Sequence, residues 1–449
     1  MNVIVDTNIL ISACLNEESD IFKILTTLSQ TIDFVIPDYA LAEIEKHKRS
    51  ICESTGRNII IFDKLLNQCF DKGIIISVAD ISTEYFILAE QLTKNIDIND
   101  AAFVAFSIAL DALIWTGDLK LSRGLKRIGF NNIISTKELK DIIKRLMIKT
   151  PSYLKKGDTI GITCPAGYMA KEKAQTCIET LQQWGFEVMV GKTLGSNSVN
   201  YFSGTDEERL NEFQAMLDDD SINAILCGRG GYGVSRIIDQ LDFTRFKKNP
   251  KWIIGFSDIT VLHAHIHTKY KIATLHAPMA AAFNEDGFKS EYIASLHKAI
   301  LGKKANYKCA AHPFNKQGIA TGELIGGNLS LLAHLIGTPS DLKTTNKILF
   351  IEDIGEYIYG TDRMLYQLKR SGKLDKLAGL IIGGFTDVKD TERPFGKTIE
   401  EVINDIVKEY DYPICFNFPV SHEKENYALK VGGTYELKTG RKTVHLTEK

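Results

Sequence analysis

Residues 253–260, with the sequence IIGFSDIT, place a serine where it could act as a nucleophile. A β-branched run stops at Gly255, Ser257 follows two residues later, and a helical pattern begins at Asp258. A sharp turn of this kind lifts one side chain out of the sheet edge, where a helix amino terminus favours negative charge on its oxygen. Such turns also use Gly for its dihedral freedom and Ser or Asp as helix caps. The segment therefore predicts either a nucleophile elbow or a simple capped turn.

A glycine-rich turn, GRGGYG at residues 228–233, precedes this serine by one αβ unit and follows an apolar strand. Its spacing is G-x-G-G-x-G rather than the G-x-G-x-x-G of dinucleotide-binding turns. Glycines also let backbone N–H groups crowd a developing negative oxygen, which lowers an acyl-transfer barrier by about 3 kcal/mol per donor. We expect this turn and Ser257 at the same edge of the sheet, where the turn would serve as an oxyanion hole.

A serine nucleophile needs a base, and the sequence offers several histidines. Those at 263, 265 and 267 follow the elbow on a helix and are expected to be packing or surface residues. The segment 322–330 reads as a strand and tight turn, and 348–353 as a buried strand that ends in acids. His422 ends a predicted late strand, FPVSH. An acid and a histidine after the serine are compatible with triad chemistry, which geometry defines rather than chain order.

Four acidic residues in the first third could meet at one sheet edge. Asp6 ends the strand VIV, Glu43 lies in a helix among apolar neighbours, Asp100 heads a helix over 101–110, and Asp118 ends the strand that contains WTG. Clustered carboxylates repel one another, and a hard divalent cation such as Mg²⁺ or Mn²⁺ relieves that repulsion. Such a metal activates water and steadies a phosphodiester. The alternative is that Asp97 and Asp100 cap helices and Asp118 sits in a turn.

Length and composition indicate a multidomain soluble protein. At 449 residues, the chain should form about three domains. Its 54 Lys and Arg against 56 Asp and Glu give no global attraction to nucleic acid or membrane. No apolar run approaches the roughly 20 residues of a membrane span, and the amino terminus lacks a secretory pattern. Eight scattered cysteines without a CxxC pair favour free thiols in a reducing compartment, so we expect a cytoplasmic protein.

A polar segment with a proline, residues 147–158, separates two autonomous units. The alternation of strands and helices on both sides predicts the α/β class with parallel sheets. We predict an α/β domain at 1–146, a doubly wound Rossmann-like domain with the elbow at 147–305, and a smaller β-rich α/β domain at 306–449.

Five motifs after the linker, taken together, resemble the LD-carboxypeptidases, a family that includes muramoyltetrapeptide carboxypeptidases and microcin C immunity peptidases. The match runs from about 152 to 445, and its motifs are RGGYG (229–233), GFSDIT (255–260), GGNL (326–329), LFIED (349–353) with DRML (362–365), and FPVSH (418–422).

The resemblance implies a nucleophile, a general base and an orienting acid, namely Ser257, His422 and Glu352. It also implies oxyanion N–H groups from Gly231 with Tyr232 or Asp258, and no cofactor. By this motif Glu352 is preferred to its rivals Asp353 and Glu356. One departure is Ser421, where many members have glycine.

The four acids of the first third and their context resemble the PIN-domain ribonucleases, the family of many bacterial toxin nucleases. The match covers about residues 1 to 140. It implies a metal-dependent endoribonuclease that holds Mg²⁺ or Mn²⁺ with Asp6, Glu43, Asp100 and Asp118. RNA and an antitoxin protein are the implied partners, and Asp97 is an auxiliary candidate.

The larger part is expected to hydrolyse the amide bond that joins a terminal D-residue to cytoplasmic murein peptides. Arg229 is a candidate for binding the terminal carboxylate of that residue. The expected assembly is a homodimer. One alternative is a microcin C-type peptidyl-nucleotide peptidase. Others are a chain whose main activity is the PIN endoribonuclease, or a catalytically dead binding module.

Overall fold

A computed structural model of the chain describes residues 1–27, 32–71, 73–284 and 290–449, apart from the side chains of 145 and 146. The chain forms two compact units, Met1–Met147 and Ile148–Lys449. The finer division into three domains, with a further boundary at residue 305, stays a prediction. In the part of the chain just defined, no helix is long and apolar enough to cross a membrane.

The first unit is a parallel sheet flanked by helices. Its strands run in the order β3-β2-β1-β4-β5. In the central strand β1, the β-branched residues Val3, Ile4 and Val5 are fully buried. The elements are β1 Asn2–Val5, α1 Thr7–Leu15, α2 Asp20–Thr27, β2 Asp33–Pro37, α3 Asp38–Thr55, α4 Ile59–Phe70, β3 Ile74–Ile76, α5 Thr83–Thr93, α6 Ala101–Leu110, β4 Leu113–Trp115, α7 Leu119–Arg127, β5 Ile133–Ile134 and α8 Thr136–Leu146.

The second unit begins with an α/β half whose elements are β6 Thr159–Thr163, α9 Gln175–Gln183, β7 Glu187–Val190, α10 Asp206–Asp218, β8 Ile222–Cys227, α11 Thr244–Lys248, β9 Trp252–Gly255, α12 Thr260–Tyr270, β10 Thr274–His276 and α13 Glu291–Ile300. The strands β6 to β10 are parallel. They run in the order β10-β9-β8-β6-β7. The order reverses between β6 and β8, and open α/β sheets bind ligands at the carboxyl ends of strands at such a point.

The rest of this unit builds a mixed sheet in the order β11-β18-β17-β12-β13-β14-β15. The remaining elements are β11 Asn306–Ala310, β12 Gly318–Asn328, α14 Leu329–His334, β13 Lys347–Ile354, α15 Ile358–Arg370, β14 Gly379–Thr386, α16 Ile399–Val407, β15 Ile414–Cys415, β16 Leu429–Val431, β17 Thr434–Thr439 and β18 Thr443–Glu448. Strands β12 to β15 pair in parallel, and β11, β18, β17 and β12 pair antiparallel.

One short strand of the carboxyl-terminal part leaves its own sheet. Strand β16 pairs antiparallel with β10, with Leu429 opposite His276, so it extends the sheet of the α/β half. Two sequence expectations were wrong nearby. The tight turn expected within residues 322–330 is absent, because β12 runs on to Asn328 and that residue caps α14 directly. His422 does not end a strand, because β15 stops at Cys415 and His422 lies in the loop before β16.

Candidate active site

Ser257 occupies a strained turn between β9 and α12. Its φ of 61° lies in the left-handed region, where a non-glycine residue costs about 1–3 kcal/mol. Gly255 leads into the turn at a φ of 158°, and a Cβ there would lie 2.9 Å from Ile259 Cγ1. The side chain of Ser257 is half-buried, and a short 3₁₀ helix, Ser257–Ile259, continues into α12. The sequence IIGFSDIT therefore folds into the elbow geometry rather than into an ordinary capped turn.

Glu352 and His422 come together across the second unit. Glu352 is fully buried on β13, and its Oε2 accepts a hydrogen bond of 2.6 Å from His422 Nδ1. The other ring nitrogen, Nε2, is buried and has no partner among the described residues. The ring of Phe256 packs edge-on against the imidazole at 4.9 Å, and this residue adjoins Ser257. Among the described residues, no hydrogen bond joins Ser257 to His422, and such contacts are often long before substrate binds.

The rival acids have other contacts. Asp353 accepts hydrogen bonds from Asn328 Nδ2 at 2.8 Å and from the Ser330 backbone N–H at 2.9 Å. Burial raises the pKa of Asp353 to about 6. Successive side chains of a strand point to opposite faces. Asp353 therefore faces the start of α14, while its neighbour Glu352 faces the histidine.

A pair of glycines on β14 makes room for the segment that carries His422. A Cβ on Gly383 would lie 2.2 Å from Val420 O and 3.2 Å from Glu352 Cβ. A Cβ on Gly384 would lie 2.6 Å from Ser421 Cβ. The Ser421 hydroxyl donates to Glu425 O at 3.1 Å and accepts from the Glu423 N–H at 3.0 Å, so it ties the loop together. The sequence analysis did not predict this packing of the His422 segment on β14, although the glycine pair in IIGGFT could have indicated it.

The glycine-rich turn lies against the elbow, as its place in the chain predicts. A Cβ on Gly230 would meet Ser257 Oγ at 3.0 Å and the Asp258 backbone nitrogen at 3.3 Å. Gly231 has a φ of 92°, and Tyr232 is 47% exposed. The Asp258 carboxylate accepts from the Val234 N–H at 2.8 Å, and burial raises its pKa to about 6. Its side chain therefore braces the turn, and only its backbone N–H is a candidate oxyanion donor.

The histidines of α12 are packing residues. His263 accepts or donates one hydrogen bond, with Gly255 O at 2.8 Å, and His265 contacts Ser340 Oγ at 2.9 Å. His267 pairs with Glu323, which also binds Lys347 Nζ at 2.6 Å. Burial lowers the pKa of His263 to about 4 and that of His265 to about 4. These residues fasten the nucleophile helix to the sheets rather than face the site.

A cavity of about 820 Å³ opens beside the histidine. Gly228, Arg229, Phe256, Met279, Tyr292 and His422 are among the residues that line it. This volume accommodates a small peptide or a comparable ligand.

In the first unit, the four predicted acids lie near one another, and three of them, Asp6, Glu43 and Asp118, accept hydrogen bonds within the protein. Asp6, at the end of β1, accepts from Asn8 Nδ2 at 2.6 Å and from the Thr116 hydroxyl. Glu43 on α3 accepts from the Thr7 hydroxyl at 2.6 Å. Burial, and then the charges of the neighbouring acids, raise the pKa of Asp100 to about 7.

Two of the acidic residues cap helices: Asp97, as the alternative interpretation had it, and Asp118, which that interpretation placed in a turn. Asp100, its other expected cap, precedes α6 without a side-chain cap hydrogen bond. Asp118 accepts from the Lys120 N–H at 2.6 Å at the start of α7, and Asp97 accepts from the Asn99 N–H at 3.1 Å. Across residues 1–27, 32–71, 73–284 and 290–449, no group of three His, Cys, Asp or Glu side chains is placed to hold one metal ion. The donor chemistry fits a hard divalent cation, because the set is all carboxylate and the charges of the neighbouring acids add to burial in raising the pKa of Asp100.

The α/β sheet, the elbow and the paired acid and histidine define a hydrolase of the serine type. The family models for the LD-carboxypeptidase N-terminal and C-terminal domains match residues 160–277 and 321–437. The chain is 36% identical to a probable murein peptide carboxypeptidase of Bacillus subtilis over 65% of this chain and 92% of that protein. The chain belongs to the LD-carboxypeptidase family.

Two solved structures resemble the same part of the chain. A muramoyltetrapeptide carboxypeptidase from Oxalobacter formigenes matches with a TM-score of 0.59 and 28% identity, over 65% of this chain and 98% of that one. The protein MccF in complex with glutamyl sulfamoyl guanosine matches with a TM-score of 0.60 and 25% identity, over 67% and 98%. A PIN-domain model matches residues 4–146, so a PIN domain precedes the peptidase part.

The recognition of both families and the α/β fold class are thereby confirmed. All eight cysteines are free thiols, as the sequence indicated. The roles of the individual site residues stay predictions.

Proposed function

We propose that the second unit is a serine carboxypeptidase that removes a terminal D-residue from murein peptides. Ser257 is the nucleophile, His422 the general base and Glu352 the acid that orients it. The observation that carries this assignment is the imidazole itself, which is bound through Nδ1 to a buried carboxylate at 2.6 Å while Nε2 has no partner in the described chain. The names of the relatives supply the substrate class.

The mechanism follows from these positions. His422 takes the proton of Ser257 as the oxygen attacks the carbonyl of the last amide, and Glu352 stabilises the resulting imidazolium. Backbone N–H groups at Gly231, with Tyr232 or Asp258, stabilise the oxyanion. The imidazolium then protonates the leaving amine, and water activated by the same histidine hydrolyses the acyl-enzyme. No cofactor takes part in these steps.

The test is release of D-alanine from a peptide that ends in an L-residue followed by D-alanine. We expect Ser257→Ala to abolish release while circular dichroism and the melting temperature stay as in the wild type. A serine-directed fluorophosphonate should label the wild type at Ser257 and leave the variant unlabelled. Full release by Ser257→Ala would overturn the assignment, and a wild type that is never labelled would indicate a binding module instead.

A second candidate is cleavage of peptidyl-aminoacyl nucleotides. It is supported by the match to MccF with a bound glutamyl sulfamoyl guanosine and by the cavity of about 820 Å³ beside the histidine. Parallel assays with a murein tetrapeptide and an aminoacyl sulfamoyl nucleoside separate the two. We expect the tetrapeptide to be the better substrate, because the Bacillus relative, 36% identical, is named for murein peptides.

We also propose that the PIN domain is a metal-dependent endoribonuclease. Asp6, Glu43, Asp100 and Asp118 would hold Mg²⁺ or Mn²⁺, which supplies an activated water and charge stabilisation for phosphodiester cleavage. We expect Asp6→Asn to abolish RNA cleavage and to leave D-alanine release unchanged. Loss of both activities would contradict independent domains.

Cellular context belongs to the same proposal. Free cysteines support a cytoplasmic location. We further propose a homodimer, and an antitoxin protein as the partner of the PIN domain. Sedimentation of the purified chain, alone and after affinity capture from its own cells, tests both.

A further inference from the structure

Arg229 presents a fixed positive charge beside the predicted catalytic groups. It follows β8, lies next to Gly230 in the chain and is exposed to solvent. Its Nη1 donates to Tyr168 O at 2.8 Å, which fixes the guanidinium, and in the described part of the chain it joins no ion pair. It lines the same cavity as Phe256 and His422. The remaining N–H groups of the guanidinium are therefore available to an anion in that cavity.

Tyr201 approaches the same turn from another loop. A Cβ on Gly231 would lie 2.9 Å from the Tyr201 hydroxyl oxygen, although the residue is 55% exposed. Its backbone O accepts from the Tyr168 N–H at 3.0 Å. No side-chain hydrogen bond of Tyr201 occurs within the described residues. The hydroxyl is thus held over the oxyanion turn with its own donor unused.

The two side chains share one support. Tyr168 binds Arg229 through its C=O and Tyr201 through its N–H. The preceding residue, Gly167, donates to Gly230 O at 2.9 Å, and a Cβ on Gly167 would lie 3.8 Å from Arg229 Nε. The guanidinium and the hydroxyl are consequently built onto the same backbone segment, on the turn that touches the nucleophile.

We infer that Arg229 and Tyr201 together bind the terminal carboxylate of the departing D-residue. This inference rests on the proposed carboxypeptidase function and names the group that selects its substrate. A Cβ on Gly230 would meet Ser257, and Arg229 is the residue before Gly230, so the guanidinium extends from a Cα about 3.8 Å from that of the glycine beside the nucleophile. The carboxylate of a terminal residue is separated from the scissile carbonyl by one residue as well. A guanidinium fork matches a carboxylate, and a phenol adds a charge-assisted hydrogen bond.

The experiment compares a peptide that ends in D-alanine with the same peptide ending in D-alanine amide. For the wild type, we expect kcat/KM to be at least about a hundredfold higher on the acid, since the clamp has no charge to bind in the amide. Arg229→Gln should lower kcat/KM on the acid about a hundredfold, mainly through KM, and Tyr201→Phe about tenfold. Both variants should act on the amide within about threefold of the wild type.

Matched surface controls are Arg370→Gln and Tyr366→Phe on α15, both exposed and outside the site. They should leave both substrates unaffected. An Arg229→Gln variant that keeps full activity on the acid, or that loses acid and amide equally, overturns the clamp while the proposed function stands. A wild type that releases neither D-alanine from the acid nor D-alanine amide from the amide overturns the proposed function and the clamp together.

Discussion

The glycine pair on β14 gives a direct test of how the histidine is positioned. Gly383→Ala would place a Cβ 2.2 Å from Val420 O, whereas real Cβ contacts are essentially never under 3.0 Å. Val420 Cγ1 would lie at 2.7 Å as well, and Glu352 Cβ, at 3.2 Å, limits movement in the other direction. The segment that carries His422 must therefore move away by about 0.8 Å, which is the difference between the 3.0 Å minimum and the 2.2 Å separation from Val420 O. The short hydrogen bond between His422 and Glu352 cannot survive that retreat unchanged.

A misplacement of about 1 Å in a catalytic group costs roughly a hundredfold in rate, equivalent to about 2.7 kcal/mol of transition-state stabilisation. We expect Gly383→Ala to lower kcat for D-alanine release by about that factor, with KM nearly unchanged, because the cavity is intact. Overpacking should also cost about 1–3 kcal/mol of folding stability, which urea denaturation measures.

Gly360→Ala on α15 is the matched control, because its new Cβ meets only Glu356 Oε2 at 3.3 Å, the end of a flexible side chain. It should retain wild-type kcat. A folded Gly383→Ala variant with full kcat would refute the idea that docking against β14 positions the general base.

Two further predictions concern stability and the loop. The pKa of His263 is lowered by burial from 6.5 to about 4, so the folded state stays neutral while the unfolded state gains a proton as the pH falls. The free energy of unfolding should therefore fall as the pH drops below 6.5, and His263 alone should account for a loss of about 2 kcal/mol at pH 5. Urea titrations at pH 7 and pH 5 measure this loss. Equal stability at both pH values would contradict it. Ser421→Gly removes two loop hydrogen bonds, so we expect kcat to fall several-fold and Ser421→Thr to restore part of it, whereas an unchanged kcat in the glycine variant would exclude a role for the hydroxyl.

The sequence predicted those parts of the site that depend on local geometry. Residues 253–260 form the strand, turn and helix start that their local preferences predict. Helix α6 matches its predicted range of 101–110. It could not choose between Glu352 and Asp353 on physical grounds. Adjacent strand residues face opposite sides, and only the partner strands determine which side meets the histidine.

Long-range pairing explains the other misses. Strand β16 has three residues, too few to show a periodic pattern, so nothing local indicates which sheet it joins. The loop with His422 was predicted as a strand because FPVSH is apolar and partly β-branched. In the structure its backbone instead docks on Gly384, whose N–H donates to Val420 O at 3.0 Å. Tyr201 carried no signal, because its relation to Gly231 exists only after two loops have met.

The pairing of β16 with β10 links the strand before the predicted nucleophile, Ser257, to the strand after the loop of the predicted base, His422, within one continuous sheet. Gly255, two residues before Ser257, lies opposite His276 on β10, and His276 lies opposite Leu429, seven residues after His422. Any opening between the two halves of this unit would have to break that ladder, whose residues are fully buried. The ladder therefore fixes the strand that leads into Ser257 relative to the strand that follows the His422 loop, which favours a preorganised site. On the proposed assignment, the substrate binds in the cavity that Arg229 and His422 line, with its terminal carboxylate against Arg229.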